Sequence, residues 1–250
     1  MHRGLFSRCS FGREFRPETL RIFENAISSI ETIEGHYNLT QIGDNVRHVH
    51  YLIEGSTVRY LDDICGSRQV TGIGLCGEFL DLDNVNCSTR SYGIYPLERV
   101  QVALIPIDVF IQVLQDHPDL MEVLWLSALQ DAIYWQRWLF RLGRLRGEQR
   151  IAHFLCELIE RLRLLERFDG ERVNVPLRQL EYAEACGMTS VHANRCFRNL
   201  QERELVIVEG CRNVRVRSEK DLCELGQFKP MDRNFNLVTL GRGLGSLQAS

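Results

Sequence analysis

The sequence predicts an α+β protein in which an N-terminal all-β domain precedes a long helix and a C-terminal helical domain. From about residue 33 to residue 107, short alternating runs of apolar and polar residues are separated by glycines, which is typical of strands and turns. From Pro118 onward, apolar residues recur at helical spacing. A chain of 250 residues is also long enough for two modest domains.

The composition argues against several classes of protein. The formal net charge is −3, so any nucleic-acid binding must use basic residues that are concentrated locally. We find no secretory signal and no run of roughly 18 apolar residues, and therefore expect a cytoplasmic protein without membrane contact. The nine scattered cysteines contain no C-x-x-C pair, which indicates reduced thiols and no metal site. The P-loop and G-x-S-x-G signatures are absent, so we expect no enzyme and no catalytic residues.

The N-terminal domain is predicted to span residues 1–117. Residues 17–30 are expected to form a short helix, because Pro17 suits a first turn and apolar residues follow at helical spacing. Val49, Tyr51 and Ile53 alternate with other side chains, and a turn at Gly55 leads into a return strand. Many short strands with glycine turns favour a sandwich or barrel.

Residues 118–146 are predicted to form a dimerisation helix and a hinge. One apolar track follows alternating steps of four and three residues, as in a seam between two helices. Its members are Met121, Trp125, Ala128, Ala132, Trp135, Leu139 and Leu142. A second track contains Leu126, Leu129, Ile133 and Phe140. Two apolar faces require two partners, so we assign the first to a second copy of the chain and the second to the β-domain.

The C-terminal domain is predicted to span residues 147–225. Gly143 and Gly147 interrupt the long helix within a cluster of arginines, which indicates a hinge between domains. Residues 226–250 end in glycines and small polar residues, so we expect a disordered tail.

Residues 177–202 have the pattern of a helix-turn-helix motif. Gly187 lies where a tight turn needs a residue that tolerates positive φ, and Thr189 is a natural N-cap for the second helix. That helix is expected to present Asn194 and Arg195 outward, and such side chains hydrogen-bond to base edges. Residues 205–216 then predict a hairpin wing, and the single Glu209 is outnumbered in and beside it by Arg212, Arg215 and Arg217. The sequence therefore predicts binding to double-stranded DNA.

With these motifs, the chain resembles the Crp/Fnr superfamily of bacterial transcription regulators. The resemblance covers roughly residues 20–225, and a VHxNR-type second helix at residues 191–195 is similar to that of an alphaproteobacterial branch. The other segments on which this resemblance rests are LIEGSTVRYL at 52–61, GEFLDL at 77–82, LWLSALQDA at 124–132 and the stretch from 160 to 206. The resemblance implies a cyclic-nucleotide-binding-like β-roll (a jelly roll), a long dimerisation helix and a winged helix-turn-helix. It also implies a homodimer that regulates transcription at an inverted-repeat operator and contacts RNA polymerase.

The resemblance and the side-chain chemistry together assign the DNA contacts. The base-reading residues are expected to be Ser190, Val191, Asn194 and Arg195. The phosphate contacts are expected to be Arg178, Gln179, Thr189, His192, Arg198 and Arg212. Ser190 and Val191 depart from the arginine and glutamate of the cAMP-receptor branch, so the resemblance does not imply that branch's target sequence.

The β-domain leaves the effector unknown. Gly77-Glu78 and Arg90-Ser91 resemble the phosphate-binding cassette of the cAMP-receptor branch, in which an arginine pairs with the cyclic phosphate. Trp135, however, would fill the pocket for the base. The iron–sulfur cluster of the Fnr branch needs four ligands, whereas only Cys9 lies near this N-terminus. We therefore expect no resident cofactor.

One alternative belongs to a different class of protein. Gly43, His48, His50 and Glu54 resemble the first metal-binding motif of cupins, whose β-fold is similar to a β-roll. Under this alternative, the chain is a metal-binding sensor or enzyme with an accessory helical domain. The two histidines alternate with the apolar face of their strand, which favours solvent-facing imidazoles without a metal.

Overall fold

The computed structural model describes residues 17–210 and 213–230. Helix α1 (Pro17–Ala26) is shorter than the helix predicted over residues 17–30, because Ser29–Ile33 already forms strand β1. In β1, Ser29 pairs with Leu104 of a later strand, and this long-range pairing overrides the local helical spacing.

The further strands of the N-terminal domain are β2 (His48–Glu54), β3 (Ser56–Asp62), β4 (Arg68–Leu75), β5 (Gly93–Pro96) and β6 (Val100–Pro106), with a 3₁₀ turn at Leu82–Asn84. Together with β1 they form two three-stranded antiparallel sheets, in the orders β1-β6-β2 and β4-β3-β5. Leu52, Ile94 and Val102 belong to one buried cluster that joins the two sheets. The predicted sandwich is therefore confirmed.

Both faces of strand β2 are covered. The face with Val49 and Tyr51 packs against Phe23 of α1 and Phe110 of α2 (Ile107–Asp116). The opposite face points into the sandwich, where His50 is only 5% exposed. The expectation of a solvent-facing His50 is therefore wrong, because alternation on one strand cannot reveal that helices cover its second face.

Helix α3 (Pro118–Arg144) is the predicted long helix and begins with Pro118 in its first turn. It ends where the glycines indicated a break: Leu145 is extended, and Gly147 has a φ of 47° before helix α4 (Glu148–Leu164) begins. Leu120 joins the core of the β-domain, and Asp131 forms a 3.5 Å salt bridge with Arg59 of β3.

Two residues of the second apolar track of α3 have a different partner from the one predicted. Ile133 and Phe140 line a cavity next to the C-terminal helix, with Cys223 and Phe228 on its other side. A helix of 27 residues is about 40 Å long, and its C-terminal half contributes Trp138 to a buried cluster that contains both Tyr60 of β3 and Phe154. Leu126 has no described side chain. Among the described residues, no helix combines the length and apolar character needed to cross a membrane.

The C-terminal domain packs around α4. Its elements are β7 (Arg172–Val173), α5 (Gln179–Ala185), α6 (Ser190–Glu202), β8 (Val206–Glu209), β9 (Asn213–Val216) and α7 (Glu219–Leu225), with the sheet order β7-β9-β8. The ring of Tyr182 lies 5.8 Å from that of Phe154 and 5.0 Å from that of Phe197, both edge-on. These aromatic contacts hold α4, α5 and α6 together.

The predicted boundary of the tail at residue 226 is wrong. Gly226 and Phe228 are buried, and the Phe228 ring packs edge-on against His153 at 5.1 Å. Packing against α4 and α3 therefore extends the folded domain to at least Phe228. Residues 231–250, on which the rest of this prediction falls, lie outside the described residues.

Candidate nucleic-acid interface

Helix α6 begins at the predicted N-cap. Thr189 has an extended backbone, and its Oγ1 accepts a 3.2 Å hydrogen bond from the backbone N–H of His192. This bond satisfies one of the amide groups that a helix leaves free in its first turn. The side chains that face the core are Ala193, Cys196, Phe197 and Leu200. Their spacing determines which face of α6 points outward.

The outward face of α6 carries the predicted base-reading residues. Val191 is 81% exposed, and Asn194, Arg195 and Arg198 are also exposed. Ser190 and His192 are partly exposed at the start of the helix. Within the described part of the chain, neither Arg195 nor Arg198 forms a salt bridge. Both guanidinium groups are therefore available to an external acceptor such as a base edge or a phosphate.

A close contact at Gly187 sets the turn between α5 and α6. Gly187 has a φ of 58°, and a Cβ at this position would lie 3.1 Å from Cδ2 of Leu142. The backbone N–H of Met188 donates a 3.0 Å hydrogen bond to the carbonyl of Ala183, which closes the turn. The predicted role of Gly187 is confirmed, and the contact also places the turn against the end of α3.

Arg178 is partly neutralised at the start of α5. Its backbone N–H donates a 2.7 Å hydrogen bond to Oε2 of Glu181, and its Nε donates to Oε1 at 2.8 Å. The Glu181 carboxylate is buried, whereas the Arg178 side chain remains 40% exposed. Gln179 beside it is partly exposed. This arrangement caps α5 and keeps one edge of the guanidinium at the surface.

The wing is less basic than the sequence indicated. Arg215 forms a 2.6 Å salt bridge with Glu209 across the hairpin, and Arg172 of β7 approaches the same carboxylate at 3.9 Å. Arg217 is exposed at the end of β9. Arg212, the predicted phosphate contact at the tip, lies outside the described residues.

Two arginines that the sequence analysis did not assign hold this unit in place. Arg141 is fully buried, forms a 3.2 Å salt bridge with Glu157, and stacks on Trp138 with its Cζ 4.0 Å from the ring centroid. Arg150 lies at the break between α3 and α4. Tyr134, Trp138 and Arg141 fall on one face of α3, and this continuation of an aromatic stripe is the signal that could have identified Arg141.

Arg150 joins the break to the turn of the helix-turn-helix motif. Its guanidinium donates hydrogen bonds to the carbonyl oxygens of Leu142 (2.8 Å), Leu145 (2.8 Å), Cys186 (3.0 Å) and Gly187 (3.1 Å). A guanidinium has five donors in a fixed planar arrangement and can bind four carbonyls at once, whereas a lysine ammonium has only three donors. Arg150 therefore links the position of α5 and α6 to the end of α3.

We expect Arg150→Ala to lower the free energy of unfolding by about 1–3 kcal/mol, because it leaves several carbonyl oxygens without their donor. DNA affinity should fall as well, since the turn loses its attachment to α3. Urea unfolding and electrophoretic mobility shift would measure the two effects. Arg146→Ala, an exposed arginine four residues earlier, is the matched control. Equal behaviour of the two variants would refute the linking role.

The predicted effector residues have other partners in the fold. Arg90 is 4% exposed, pairs with Asp81 and donates a 2.9 Å hydrogen bond to the carbonyl of His48. Glu78 instead pairs with Arg161 of α4 at 2.7 Å. Ser91 hydrogen-bonds to Asn84, and Gly77 forms a turn with a φ of 94°. Glu78 and Arg90 are therefore each paired with a protein group, and the two groups are different.

His50 of the cupin-like motif also has a partner in the fold. Burial alone would raise the pKa of Asp81, but the His50 imidazole, 2.6 Å away, and Arg90 outweigh it and lower the pKa. Burial lowers the pKa of His48. Within the residues that the structure describes, no three His, Cys, Asp or Glu side chains are arranged to hold a metal ion. The His50 imidazole thus has Asp81 as its buried partner, which does not favour the cupin-like alternative.

Comparison with known proteins agrees with this geometry. A family profile described as the Crp-like helix-turn-helix domain matches residues 149–225. The transcriptional activator protein Anr of Pseudomonas protegens is 25% identical over 187 residues, which cover 73% of this chain and 74% of Anr.

Solved structures share the fold over most of the chain. FixK2 from Bradyrhizobium japonicum superposes with a TM-score of 0.72 at 17% identity, covering 79% of this chain and 96% of FixK2. A Crp/Fnr-family regulator from Thermus thermophilus superposes with a TM-score of 0.64 at 17% identity, covering 80% and 99% of the two chains. Residues 149–225 therefore form a Crp-like helix-turn-helix domain, and the chain is similar to Crp/Fnr-type transcription regulators over most of its length.

Proposed function

We propose that this protein is a sequence-specific DNA-binding transcription regulator that acts as a homodimer on an inverted-repeat operator. The observation that carries this proposal is the outward face of α6, where Asn194, Arg195 and Arg198 are exposed on the second helix of a helix-turn-helix motif. Such a helix enters the major groove and places its N-terminal side chains against base edges.

The first apolar track of α3 supports dimerisation. In the single chain Met121 is 51% exposed, Trp125 62%, Trp135 42% and Leu139 72%. Large apolar side chains that form a continuous exposed patch mark an interaction surface. A second copy of α3, related by two-fold symmetry, would bury this track against itself and present two α6 helices to half-sites about 34 Å apart.

We also propose how the protein is regulated and how it acts once it is bound to DNA. The protein needs no resident cofactor, and its effector is unassigned. Regulation proceeds through contact with RNA polymerase at the promoter. The link between Arg150 and the helix-turn-helix turn would carry a change in α3 to the DNA-binding unit, as selection between two domain arrangements requires.

In vitro selection of genomic fragments on the purified full-length protein tests the proposal. We expect enrichment of a site with two-fold symmetry, because two α6 helices read two identical half-sites. The experiment should be run without ligand and repeated with cyclic nucleotides and divalent metals. Weak binding to all fragments under every condition, abolished by moderate salt, would contradict sequence-specific recognition.

Arg195→Ala tests the assignment of the base-reading face. We expect a loss of about 1–3 kcal/mol in operator binding and a relaxed preference at one base pair of each half-site. Arg198→Ala is the matched variant on the same helix. It should weaken binding to all sequences and lower the number of counterions released on binding by about one. Titration against single-base operator variants distinguishes the two. Unchanged affinity and preference in Arg195→Ala would remove Arg195 from the contact surface.

A further inference from the structure

Two cysteines of the C-terminal domain lie next to each other across a helix–helix contact. Cys156 is 2% exposed in the middle of α4, Cys223 is partly exposed on α7, and their Sγ atoms are 3.2 Å apart. Within the described part of the chain, no second pair of cysteine sulfurs lies within hydrogen-bond distance. A disulfide needs an S–S bond of about 2 Å, so an approach of about 1 Å would join them.

The packing of α7 on α4 explains this proximity. A Cβ at Gly226 would lie 2.6 Å from the backbone nitrogen of His153, so only glycine permits so close an approach. The carbonyl of Gly226 also lies 2.9 Å from Nδ1 of His153. This contact anchors the end of α7 one turn away from the cysteine pair.

Cys223 is the more exposed member of the pair. Cys223 lines a cavity of about 970 Å³ between α3 and α7, and Arg137, Lys220 and Lys229 also line it. Cys156 is 2% exposed and is not among the residues that line this cavity. A small oxidant can therefore contact Cys223 first, while Cys156 is held ready to react with the product.

We propose that Cys156 and Cys223 form a redox-active dithiol that reduces a hydroperoxide and closes to an intramolecular disulfide. The Cys223 thiolate attacks the terminal oxygen of the hydroperoxide, which breaks the O–O bond and gives a sulfenic acid. The departing alkoxide or hydroxide takes up a proton. The Cys156 sulfur then attacks Sγ of Cys223, and the sulfenic hydroxyl leaves as water with the proton of Cys156. Two electrons pass from the thiols to the hydroperoxide.

The electrostatics of the pair agree with this division of roles. The hydrogen bond with Cys156 lowers the pKa of the Cys223 thiol, whereas the same bond and burial raise the pKa of Cys156. The thiolate is the form of cysteine that reacts with oxidants. α7 follows directly after wing strand β9, so the disulfide would tie the end of the wing to α4.

Peptide mapping of the full-length protein tests the proposal without DNA. The reduced protein is treated with stoichiometric hydrogen peroxide, its free thiols are blocked, and the digest is analysed by mass spectrometry. We expect a linked pair of peptides that contain Cys156 and Cys223, the loss of both thiols, and reversal by dithiothreitol. In Cys156→Ser, a dimedone adduct should accumulate on Cys223, because the sulfenic acid has lost its resolving thiol.

Cys87→Ser, which removes an exposed cysteine, is the matched control and should still form the linked pair. Cys223→Ser should abolish the link while Cys156 stays reduced. The proposal is overturned if the mapped disulfides join other cysteines, or if Cys223 is oxidised no faster than exposed Cys65 and Cys87. Because the readout is a covalent bond, it succeeds or fails independently of DNA binding.

Discussion

Replacing Arg141 with alanine should lower the free energy of unfolding by about 3–5 kcal/mol, the range for breaking a buried ion pair. Arg141 and Glu157 are both fully buried, and the Arg141 NH1 group donates a 3.2 Å hydrogen bond to Oε2 of Glu157. Its NH2 group also donates to the carbonyl of Ala185 at 3.3 Å, at the end of α5. Without Arg141, the Glu157 carboxylate loses its nearest cation inside the core.

Urea unfolding at one fixed protein concentration measures this loss. Burial already raises the pKa of Glu157, although Arg141 opposes the shift, so the variant should raise that pKa further. A folded state that holds this proton more tightly than the unfolded state loses stability as the pH rises, so the defect should be larger at about pH 8 than at about pH 5.

Two further variants make the Arg141 test specific. The double variant Arg141→Ala/Glu157→Gln should recover part of the loss, because it removes the unpaired charge. Arg144→Ala is the control at an exposed position of the same helix and should change stability by about 0.5 kcal/mol or less. A loss below about 1 kcal/mol in Arg141→Ala would show that the pair is not structurally important.

Trp125→Glu should convert the dimer to a monomer and weaken binding to an inverted repeat at least about 100-fold, since one half-site no longer tethers the other. Trp125 is 62% exposed in the single chain and lies in the first half of the seam track. Two-fold symmetry would bring two new carboxylates towards each other in an apolar seam. That arrangement combines desolvation with like-charge repulsion.

Sedimentation velocity and operator binding measure the two effects of Trp125→Glu. Trp135→Glu, which lies on the same track, should also give a monomer and weaker operator binding. Gln136→Glu introduces the same side chain on the same helix, but at a cavity-lining position outside the seam, and should remain dimeric. A Trp125→Glu protein that sediments as the wild type does would place the dimer interface elsewhere.

Most of the DNA-binding unit was predictable from the sequence. Gly187 and Thr189 mark the turn and the cap by local backbone chemistry, and the helical spacing of Ala193, Cys196 and Phe197 selects the outward face. These features depend on residues close together in the chain, where sequence spacing maps directly onto geometry.

The partners of charged groups were not predictable in this way. Arg215 looked like a free wing arginine but pairs with Glu209, and Arg90 looked like a phosphate ligand but pairs with Asp81. His50 was expected at the surface and lies in the core. The pairings of Arg215 and Arg90 depend on how the chain folds back on itself in a hairpin and in a loop, and the burial of His50 depends on which elements cover its strand.

The sequence by itself determined the order of the elements, the long helix with its exposed apolar track, and the chemistry of the outward face of α6. Local spacing, caps and turns suffice for these. Only the tertiary structure decided that Arg141 and Arg150 attach the helix-turn-helix unit to α3, and that Cys156 meets Cys223 across 67 residues of chain. Such contacts follow from how helices pack against one another, because packing brings together side chains that no sequence period relates.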